Sequence, residues 1–487
     1  MEQFLGGGHS YNFPSEERRR HLALNNAALS DNGLVYIYDS DDLEQAGVEY
    51  ADRFKLIESI TTTVTATEGS NEVTLTGASF LGTFKDIWVG DVMVIDGSAR
   101  KYQIRNFGTS SKLYLEEPIL AGDVVAGTTV EVQFFRVEWI TFLLHPNEYT
   151  RTVIARPGHS FMGVDKRTVL MSEVSSSPYT TFINWGLNSI QNISLAPTTG
   201  WSSLDAGFSP TEGANGNSLL PDDYETWHVP SHWAGQLSLI ENCLLDMTNK
   251  GGAHGGGNPS FPLIPGGRSI VKGCHVWNES PNSVSAAVLG DGEIDYEATS
   301  GNSFVDYVDT EFELVDGFEH TDATSPPLSG IILCNEPGTY NIHNCRLKTR
   351  RDLGHLPASL GVYGIGIYNG TRTDIKVNVS HTDINLTNTS GNAGQNTMGV
   401  MAYSDGEINI NNSNIEVDGT VPEAIKCNDA NATINVRRTR LKSTGTNAVN
   451  CAAGTVHLDN STTADIIGAV TGVGANINSP KIGRAHF

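Results

Sequence analysis

Basic side chains are scarce in this sequence. Lysine and arginine total 31 against 55 acidic residues, which gives the 487-residue chain a formal net charge of −24. Between Thr168 and Cys345 the only basic residues are Lys250, Arg268 and Lys272. Because so acidic a surface repels phosphate backbones, we do not expect nucleic acid to be a partner.

Long apolar runs are missing as well. No stretch approaches the roughly 20 consecutive apolar residues that a membrane-spanning helix needs. The N-terminal residues also lack the apolar core of a secretory signal peptide. The sequence therefore predicts a protein that is made in a cytoplasm, has no signal peptide and does not insert into membranes.

The cysteines are few, and none of them has the C-x-x-C spacing of a metal site. The six are Cys243, Cys274, Cys334, Cys345, Cys427 and Cys451. Three of them, Cys243, Cys274 and Cys345, take equivalent places in a repeated pattern. We predict that the cysteines are small buried core residues, and disulfides between stacked repeats are the alternative.

Residues that favour turns and strands dominate the remaining composition. Charged residues make up only 18% of the chain, whereas glycine reaches 51 residues and Asn, Thr and Ser are abundant. Such a composition suits tight corners and outward-facing strand positions, so it predicts a mainly β protein. The length allows two or three domains with complete cores.

One short pattern recurs from about residue 189 to residue 460, and Tyr340 to Leu347 is its clearest copy. It consists of a short alternating strand, a small polar corner and a second short strand. The inward residues of the copies are Ile190, Ile240, Val271, Ile342, Val377, Ile410, Val436 and Leu458. Their intervals are 50, 31, 71, 35, 33, 26 and 22 residues, and the later values approach one turn of a solenoid.

A single repeat of this kind cannot bury its apolar face, so the copies must stack on one another. The pattern predicts a right-handed parallel β-helix over residues 138–467, capped by residues 468–487. The large intervals predict insertions at residues 196–236 and 277–328, where a solenoid usually carries its functional loops.

The N-terminal third has a different pattern. Residues 1–58 predict two short helices, the first from Pro14 to about Leu29 and the second from Ser40 to about Ile57, with a strand between them. Residues 59–137 predict a compact antiparallel β domain, because six short alternating segments are separated by Gly, Asp and Ser turns. The first segment is an adaptor in our interpretation, and a plain N-terminal cap is the alternative.

Two resemblances support this division. The order of segments Glu68 to Gly77, Val89 to Ile95 and Leu113 to Pro118 resembles the small β-barrel modules near the N-termini of bacteriophage tail fibres and spikes. Trp139 to Thr150, followed by Ser160 to Leu170, resembles the first turn of the pectin-lyase-type β-helix. That family places catalytic Asp, Arg or Lys residues on the outside of central turns, but no such constellation is recognisable in the sequence, so no catalytic residue is carried over.

The first predicted insertion contains the strongest candidates for carbohydrate contact. Aromatic faces stack on sugar C–H surfaces, and carboxylates accept hydrogen bonds from sugar hydroxyls. The glycan-binding candidates are Trp201, Tyr224, Trp227, His228 and Trp233, and the weak catalytic candidates are Asp222, Asp223 and Glu225. Packing of the insertion against the solenoid is the alternative for the tryptophans.

The second predicted insertion contains an acidic run. Its acids occupy alternate positions, so an extended segment would carry them on one face. They are Asp291, Glu293, Asp295 and Glu297. Oxygen-rich sites of this kind suit Ca²⁺, although the EF-hand spacing is absent. A solvated acidic face is the alternative.

These features together predict a homotrimeric virion protein, a bacteriophage tail fibre or tailspike. In this hypothesis residues 1–137 attach to tail or baseplate proteins, and the β-helix mediates host attachment by binding surface polysaccharide. A depolymerase of capsule or O-antigen, either glycosidase or lyase, is one alternative. A purely architectural head or collar fibre is the other.

Overall fold

The computed structural model describes most of the predicted strand segments. The described residues are 33–77, 86–96, 101–109, 111–116, 119, 123, 125–150, 153–172, 182–184, 187–195, 237–246, 268–278, 285–289, 303–315, 329–334, 338–351, 362–367, 374–388, 396–419, 421–459, 466–472 and 477–478. The first predicted helix, from Pro14 to about Leu29, lies outside them.

The described elements are one helix and many short strands. The N-terminal part contains β1 (Leu34–Ile37), α1 (Ser40–Glu49), β2 (Phe54–Ala66), β3 (Glu72–Thr76), β4 (Val92–Ile95), β5 (Tyr102–Thr109), β6 (Lys112–Leu115) and β7 (Val125–Val137). It is followed by β8 (Ile140–Leu144), β9 (Asn147–Thr150), β10 (Val153–Ala155), β11 (His159–Gly163), β12 (Val169–Ser172), β13 (Phe182–Asn184), β14 (Asn188–Gln191), β15 (Ser194–Leu195), β16 (Leu237–Glu241), β17 (Leu244–Asp246), β18 (Arg268–Lys272), β19 (His275–Asn278), β20 (Ser285–Leu289), β21 (Ser303–Val308) and β22 (Glu311–Val315). The last strands are β23 (Ser329–Cys334), β24 (Gly338–His343), β25 (Arg346–Arg351), β26 (Val362–Ile367), β27 (Ile375–Ser380), β28 (Asp383–Asn388), β29 (Asn396–Ala402), β30 (Glu407–Asn411), β31 (Asn414–Asp418), β32 (Val421–Cys427), β33 (Thr433–Arg437), β34 (Arg440–Cys451), β35 (Thr455–Leu458), β36 (Ile466–Gly472) and β37 (Ile477–Asn478).

The solenoid strands form three long parallel ladders and one separate parallel pair, β10 with β13. The first sheet has the order β1-β8-β11-β14-β16-β18-β21-β24-β27-β30-β33-β35-β37. The second sheet runs from β9 through β12, β15, β17, β19, β22, β25, β28 and β31 to β34. The third runs from β20 through β23, β26, β29 and β32 to the same long β34, which also pairs with β36. The predicted parallel β-helix is therefore confirmed.

The first sheet stacks one column of inward side chains along the solenoid. The column contains Phe142, Phe161, Ile190, Ile240, Val271, Tyr307, Ile342, Val379, Ile410, Val436 and Leu458. All of them are buried in one continuous core cluster. Because apolar burial stabilises by about 25 cal/mol per Å², this column is a principal source of the solenoid's stability.

The observed column corrects two predictions. The interval of 71 residues contains a whole additional turn, because Tyr307 pairs with Val271 on one side and Ile342 on the other. The segment at 277–328 is therefore not one insertion: it contains β20, β21 and β22. Val379 rather than Val377 pairs with Ile342, a shift of two residues that leaves the same strand face inward.

A left-handed backbone conformation marks the corner between the first and second sheets. Its residues are Asn192, Asn242, Gly273, Asp309, Asn344, His381, Asn412 and Arg438, with φ between 48° and 62°. Asn, Asp and Gly adopt this conformation most readily, which explains the polar corner of the repeats. Each corner N–H donates to the next turn, as from Asn344 to the carbonyl of Ser380 at 3.0 Å.

The residue after each corner points inward and, apart from Ile193, is a small Cys, Ser or Thr. This column contains Ile193, Cys243, Cys274, Thr310, Cys345, Thr382, Ser413 and Thr439, all buried. Its thiols and hydroxyls donate to the carbonyl two residues earlier, as Cys345 Sγ does to His343 O at 3.4 Å and Thr382 Oγ1 to Ser380 O at 3.0 Å. Cysteine, threonine and serine are therefore equivalent at this position, because each donates the same hydrogen bond. All six cysteines are buried, as the sequence predicted.

An amide ladder runs along the outer face of the first sheet. Asn341 donates to Asp306 at 2.7 Å, and Asn378 donates to Asn341 at 2.9 Å. Asn409 donates to Asn378 at 3.1 Å, and Asn435 donates to Asn409 at 2.9 Å. Each of these amides thus donates a hydrogen bond to a side chain of the preceding turn, and this ladder holds the strands in register.

The N-terminal strand closes the first end of the solenoid. β1 pairs in parallel with β8, although the barrel strands separate them in sequence. Asn147 Nδ2 donates to the carbonyl of Tyr38 at 2.7 Å, and Tyr149 Oη donates to that of Ile37 at 2.9 Å. Leu43 and Ala46 of α1 join the solenoid core. These contacts make residues 34–49 part of the solenoid's end.

Helix α1 is shorter than predicted. Asp39 caps it, because its carboxylate accepts hydrogen bonds from the backbone of Asp41 and Asp42 at 3.0 and 2.9 Å. The helix ends at Glu49, whereas the prediction extended it to about Ile57. The residues from Phe54 onward form β2 instead, because they pair with β7.

The second N-terminal unit is the predicted antiparallel barrel. Its strands close in the order β2-β3-β6-β5-β4-β7, and every pair is antiparallel. The predicted start at residue 59 falls inside β2, which begins at Phe54. The entering and leaving strands pair at the base of the barrel, where Glu138 N donates to Arg53 O at 2.7 Å.

A buried histidine fixes the junction between α1 and the first turns. His159 is fully buried, and its Nε2 lies 2.7 Å from the carbonyl of Tyr50. Phe142 and Phe161 pack against its ring with centroids 5.1 and 5.9 Å away. Burial lowers the pKa of His159 from 6.5 to about 4, with smaller contributions from Arg156 and Arg53. The ring is therefore neutral, and a second proton on Nδ1 would find no acceptor.

This histidine predicts acid sensitivity. Unfolded His159 gains a proton as the pH falls through 6.5, but the folded form gains it only near pH 4. The stability it contributes is complete above pH 6.5 and is lost towards pH 4, up to about 3 kcal/mol. Urea unfolding from pH 7 to 4.5 should show a shallower pH dependence in His159→Gln. His457→Gln, at an exposed position, should keep the wild-type dependence, and equal slopes in all three proteins would contradict the assignment.

One glycine of the third sheet has no room for a side chain, so we expect a single added methyl group to destabilise the protein. A Cβ on Gly399 would lie 2.6 Å from the carbonyl oxygen of Ala424 and would also overlap Ile415. Gly399→Ala should lower the free energy of unfolding by about 1–3 kcal/mol through overpacking. Gly47→Ala is the control, because a Cβ on Gly47 would meet no neighbouring heavy atom within 4 Å and alanine favours a helix. A Gly399→Ala protein as stable as wild type in thermal unfolding would refute this packing.

Candidate functional site

The predicted site residues lie outside the described part of the chain. This applies to the glycan-binding candidates Trp201, Tyr224, Trp227, His228 and Trp233, and to the weak catalytic candidates Asp222, Asp223 and Glu225. It applies equally to the acidic run Asp291, Glu293, Asp295 and Glu297. Their roles therefore stay predictions.

The described residues bring together a different set on the outer face of the second sheet. In β22, Phe312 points into the core, so Glu311 and Glu313 on either side of it point outward. His275 of β19 pairs with Glu311, while Arg346 and Lys348 of β25 pair with Glu311 and Glu313. We refer to His275, Glu311, Glu313, Arg346 and Lys348 as the Glu311 cluster.

The acidic members of the Glu311 cluster lie close to one another and to the imidazole. One ring nitrogen of His275 and one carboxylate oxygen each of Glu311 and Glu313 all lie within 4.8 Å of one another. Lys348 Nζ lies 2.6 Å from Glu311 Oε1. Glu311, Glu313, His275 and Lys348 are half-buried, whereas Arg346 is exposed. Each of the five residues is therefore at least partly exposed on the outer face of the sheet.

The ion pair with Lys348 sets the charge of one carboxylate. A hydrogen bond from Lys348 lowers the pKa of Glu311 below 4.5, and the positive charges of Lys348, His275 and Arg346 lower it further. Burial raises the pKa of Glu311, but this effect is smaller than that of the hydrogen bond from Lys348. Glu311 is consequently ionised at neutral pH, and its partner ammonium keeps the local charge balanced.

The arrangement permits two kinds of chemistry and one kind of binding. An imidazole nitrogen and two carboxylate oxygens can ligate a divalent cation, although the Lys348 ammonium would compete with it for Glu311. Two close carboxylates are also what glycoside hydrolysis uses, because a separation near 5 Å places one as nucleophile and the other as acid. The same polar groups can accept and donate hydrogen bonds to sugar hydroxyls.

The polar surface continues along the same sheet towards the C-terminus. Asn414 Nδ2 donates to Asp383 Oδ1 at 2.7 Å, and Thr444 Oγ1 donates to Asp418 Oδ1 at 2.6 Å. Lys442 pairs with Glu416. Among the described residues, these carboxylates do not form a second group of three with a histidine. The Glu311 cluster is thus distinct within a longer polar face.

The sequence did contain a signal for this cluster. Glu311-Phe-Glu313 and Arg346-Leu-Lys348 both alternate polar and apolar residues, as strands with one solvated face do. The prediction placed the first of these segments in an insertion and therefore gave it no register with the second. The basic residues of β25 follow directly after the long stretch that is poor in basic residues, so the contrast was also visible.

Comparisons with known proteins give similarity at the level of structure alone. No protein-family model and no curated protein matches the sequence. The Dettilon tailspike protein aligns with a TM-score of 0.33 and 9% identity, over 70% of this chain and 64% of its own length. The chain thus spans less than two thirds of that tailspike.

Two further solved structures align more weakly. A GH87 α-1,3-glucanase from Streptomyces thermodiastaticus has a TM-score of 0.25 and 9% identity, with 87% of each chain covered. The tailspike of the Acinetobacter baumannii bacteriophage AP22, in complex with a capsular saccharide, has a TM-score of 0.23 and 11% identity. It covers 88% of this chain and 66% of its own.

Within the described ranges, no helix has both the length and the apolar character that a bilayer crossing requires.

The Lys348–Glu311 pair predicts a small, pH-dependent coupling energy. In a double-mutant cycle of Lys348→Met and Glu311→Gln, the coupling at pH 7 should be about 0–1 kcal/mol, because the pair is half-exposed. Since the folded pKa of Glu311 is lowered, the coupling is complete above pH 4.5 and is lost as the pH falls through that lowered value.

Urea unfolding of the four proteins measures this coupling. The control is the more exposed Lys376–Glu407 pair, at 3.6 Å, which should couple less. A coupling that is unchanged in acid, or that is larger for the control pair, would show that Lys348 does not hold the charge of Glu311.

Proposed function

We propose that the chain is a β-helical fibre or spike protein of a virus particle that binds surface polysaccharide through the outer face of its second sheet. The observation that carries the proposal is the Glu311 cluster, a concentrated set of charged hydrogen-bonding groups on a solvent-facing sheet. The succession of a small barrel and a parallel β-helix supports it, because the barrel segments resemble modules of bacteriophage fibres and spikes in sequence, and the β-helix segments resemble the pectin-lyase type.

Polysaccharide suits this face for physical reasons. A sugar chain presents many hydroxyls, and a regular polar strip can meet them one after another at the spacing of the turns. Hydrogen bonds to charged groups contribute about 1.5–3 kcal/mol each, more than those between neutral groups. The candidates of the first insertion, Trp201, Tyr224, Trp227, His228 and Trp233, would add stacking surfaces to such a face.

A second candidate function is depolymerisation of the bound polysaccharide. It is favoured by one observation, the closeness of the carboxylates of Glu311 and Glu313 to each other and to His275. In this hypothesis Glu311, held ionised by Lys348, acts as nucleophile or base. Glu313 or His275 then supplies the proton to the leaving oxygen. Asp222, Asp223 and Glu225 remain weaker candidates for the same roles.

The remaining assignments complete the proposal. Residues 1–137 attach the protein to tail or baseplate proteins, so the protein is located on the virus particle. A homotrimer would bury apolar side chains that the C-terminal strands expose, namely Val421, Ile467 and Val470, which are 40%, 48% and 41% exposed. Ca²⁺ on the run from Asp291 to Glu297 remains an accompanying proposal. A head or collar fibre without glycan binding is the competing architectural role.

The test is retention and cleavage of purified bacterial surface polysaccharides. The wild-type protein should be retained on immobilised capsule or lipopolysaccharide from a susceptible host. The double variant Glu311→Gln with Glu313→Gln should bind about 10- to 100-fold more weakly, because it loses charge-assisted hydrogen bonds. If the protein also cleaves, new reducing ends or unsaturated sugars should appear, and the variant should lose about 10²–10⁴-fold in rate.

Glu407→Gln is the matched control, since it neutralises a lysine-paired carboxylate on the first sheet, away from the proposed binding face. It should retain wild-type binding and cleavage. Equal binding by wild type and the double variant would refute the proposed face. Failure to bind any host polysaccharide would favour the architectural fibre.

A further inference from the structure

Two cysteines lie side by side at the C-terminal end of the solenoid. Cys427 ends β32 and Cys451 ends β34, and the two residues are direct partners in the parallel pairing of these strands. Both side chains are buried in the same core cluster. Neighbouring strands are about 4.7–4.9 Å apart, and the Cα atoms of a disulfide are usually 4.4–6.8 Å apart. The backbone therefore already has the separation that a disulfide requires.

The thiols also contact each other. The pKa of Cys427 rises to about 12, chiefly through burial, and then through the charge of Cys451 and a hydrogen bond with it. Cys451 Sγ donates to Ala453 O at 3.3 Å, and Cys427 Sγ lies 4.0 Å from Ala432 O. The contact of the Cys427 thiol with the carbonyl of Ala432 is long, so losing its hydrogen to form a bond with sulfur would sacrifice only a weak donated hydrogen bond.

The position of this pair gives an oxidant a route to it. Beyond β34 the third sheet has only β36 among the described strands, and most residues of β36 are at least partly exposed. Ala452, directly after Cys451, is exposed. Strands at the end of a solenoid open more readily than central ones. Cys243 and Cys274, by contrast, lie between stacked turns in the middle of the solenoid.

We propose that Cys427 and Cys451 are a modification site at which oxidation forms a disulfide between the last turns of the solenoid. The oxidant is a small disulfide such as oxidised glutathione. The Cys451 thiolate attacks one of its sulfurs and releases a glutathione thiolate, and Cys427 then attacks the mixed disulfide and releases the second. Two protein thiols become one disulfide, one glutathione disulfide becomes two thiols, and the protons pass to the released thiolates.

The bond would act after the protein leaves a reducing cytoplasm, where such disulfides do not persist. It closes a loop that includes β33 and most of β34, and so restricts the unfolded chain of the last turns. The solenoid would then be fastened at the end opposite to β1. This inference rests on the strand register and holds whether or not the protein binds polysaccharide.

The experiment uses the folded full-length chain. The protein is incubated with oxidised or reduced glutathione, treated with N-ethylmaleimide and digested for mass spectrometry. We expect a linked peptide containing Cys427 and Cys451, about 2 Da lighter than its two thiol peptides together, since two hydrogens are lost. Maleimide labelling of the two residues should fall together, and β34 and β36 should exchange amide hydrogens more slowly.

Matched variants make the outcome specific. Cys451→Ser and Cys427→Ser should each abolish the linked peptide, because serine keeps a small donor at the position but cannot form the bond. Cys243→Ser should leave the linked peptide unchanged. Full maleimide labelling of both cysteines in the oxidised wild-type protein, or a bond from either to another cysteine, would overturn the proposal.

Discussion

The in-register stacking of short parallel strands is the constraint on which the rest of the structure depends. A turn of the solenoid satisfies its backbone only by hydrogen bonding to the turns before and after it. The chain must therefore return to the same angular position after each circuit, whatever the length of the loops between. The left-handed corner residues, such as Asn242 and Asn344, make this return possible because they turn the strand sharply at a constant place. The inward thiol and hydroxyl column and the outer amide ladder then hold the turns at one register.

The candidate site is a direct result of that constraint. His275, Glu311 and Arg346 are far apart in sequence, yet register places them in one outward column. The alternation of each strand commits Phe312 to the core and leaves the carboxylates on either side of it to the solvent. A one-residue slip of β22 would bury both carboxylates and expose the phenylalanine, so core packing protects the geometry of the Glu311 cluster.

Much of the solenoid could be predicted from sequence, because its strands are short and their inward residues repeat. The turn around Tyr307 escaped, since Asp309 and Thr310 stand where the clearest copies have Asn and Cys, as at Asn344 and Cys345. The structure explains the substitution: both pairs supply a corner residue and a small inward donor. Val377 and Val379 are both apolar and two residues apart, so the sequence could not decide which continues the column. The end of α1 was missed for another reason, since the pairing of Phe54 with Val137 is non-local.

The pairing of β1 with β8 also determines how the molecule would carry tension. The barrel is inserted in the chain between these two strands, and the contact between Arg53 and Glu138 closes its base. A pull on the residues preceding Gly33 therefore passes into the solenoid through the hydrogen bonds of β1 and loads them along the strand direction. The barrel hangs beside this path as a closed side branch. A molecule that contacts the barrel can therefore pull on it or displace it without making the barrel part of the path that carries tension.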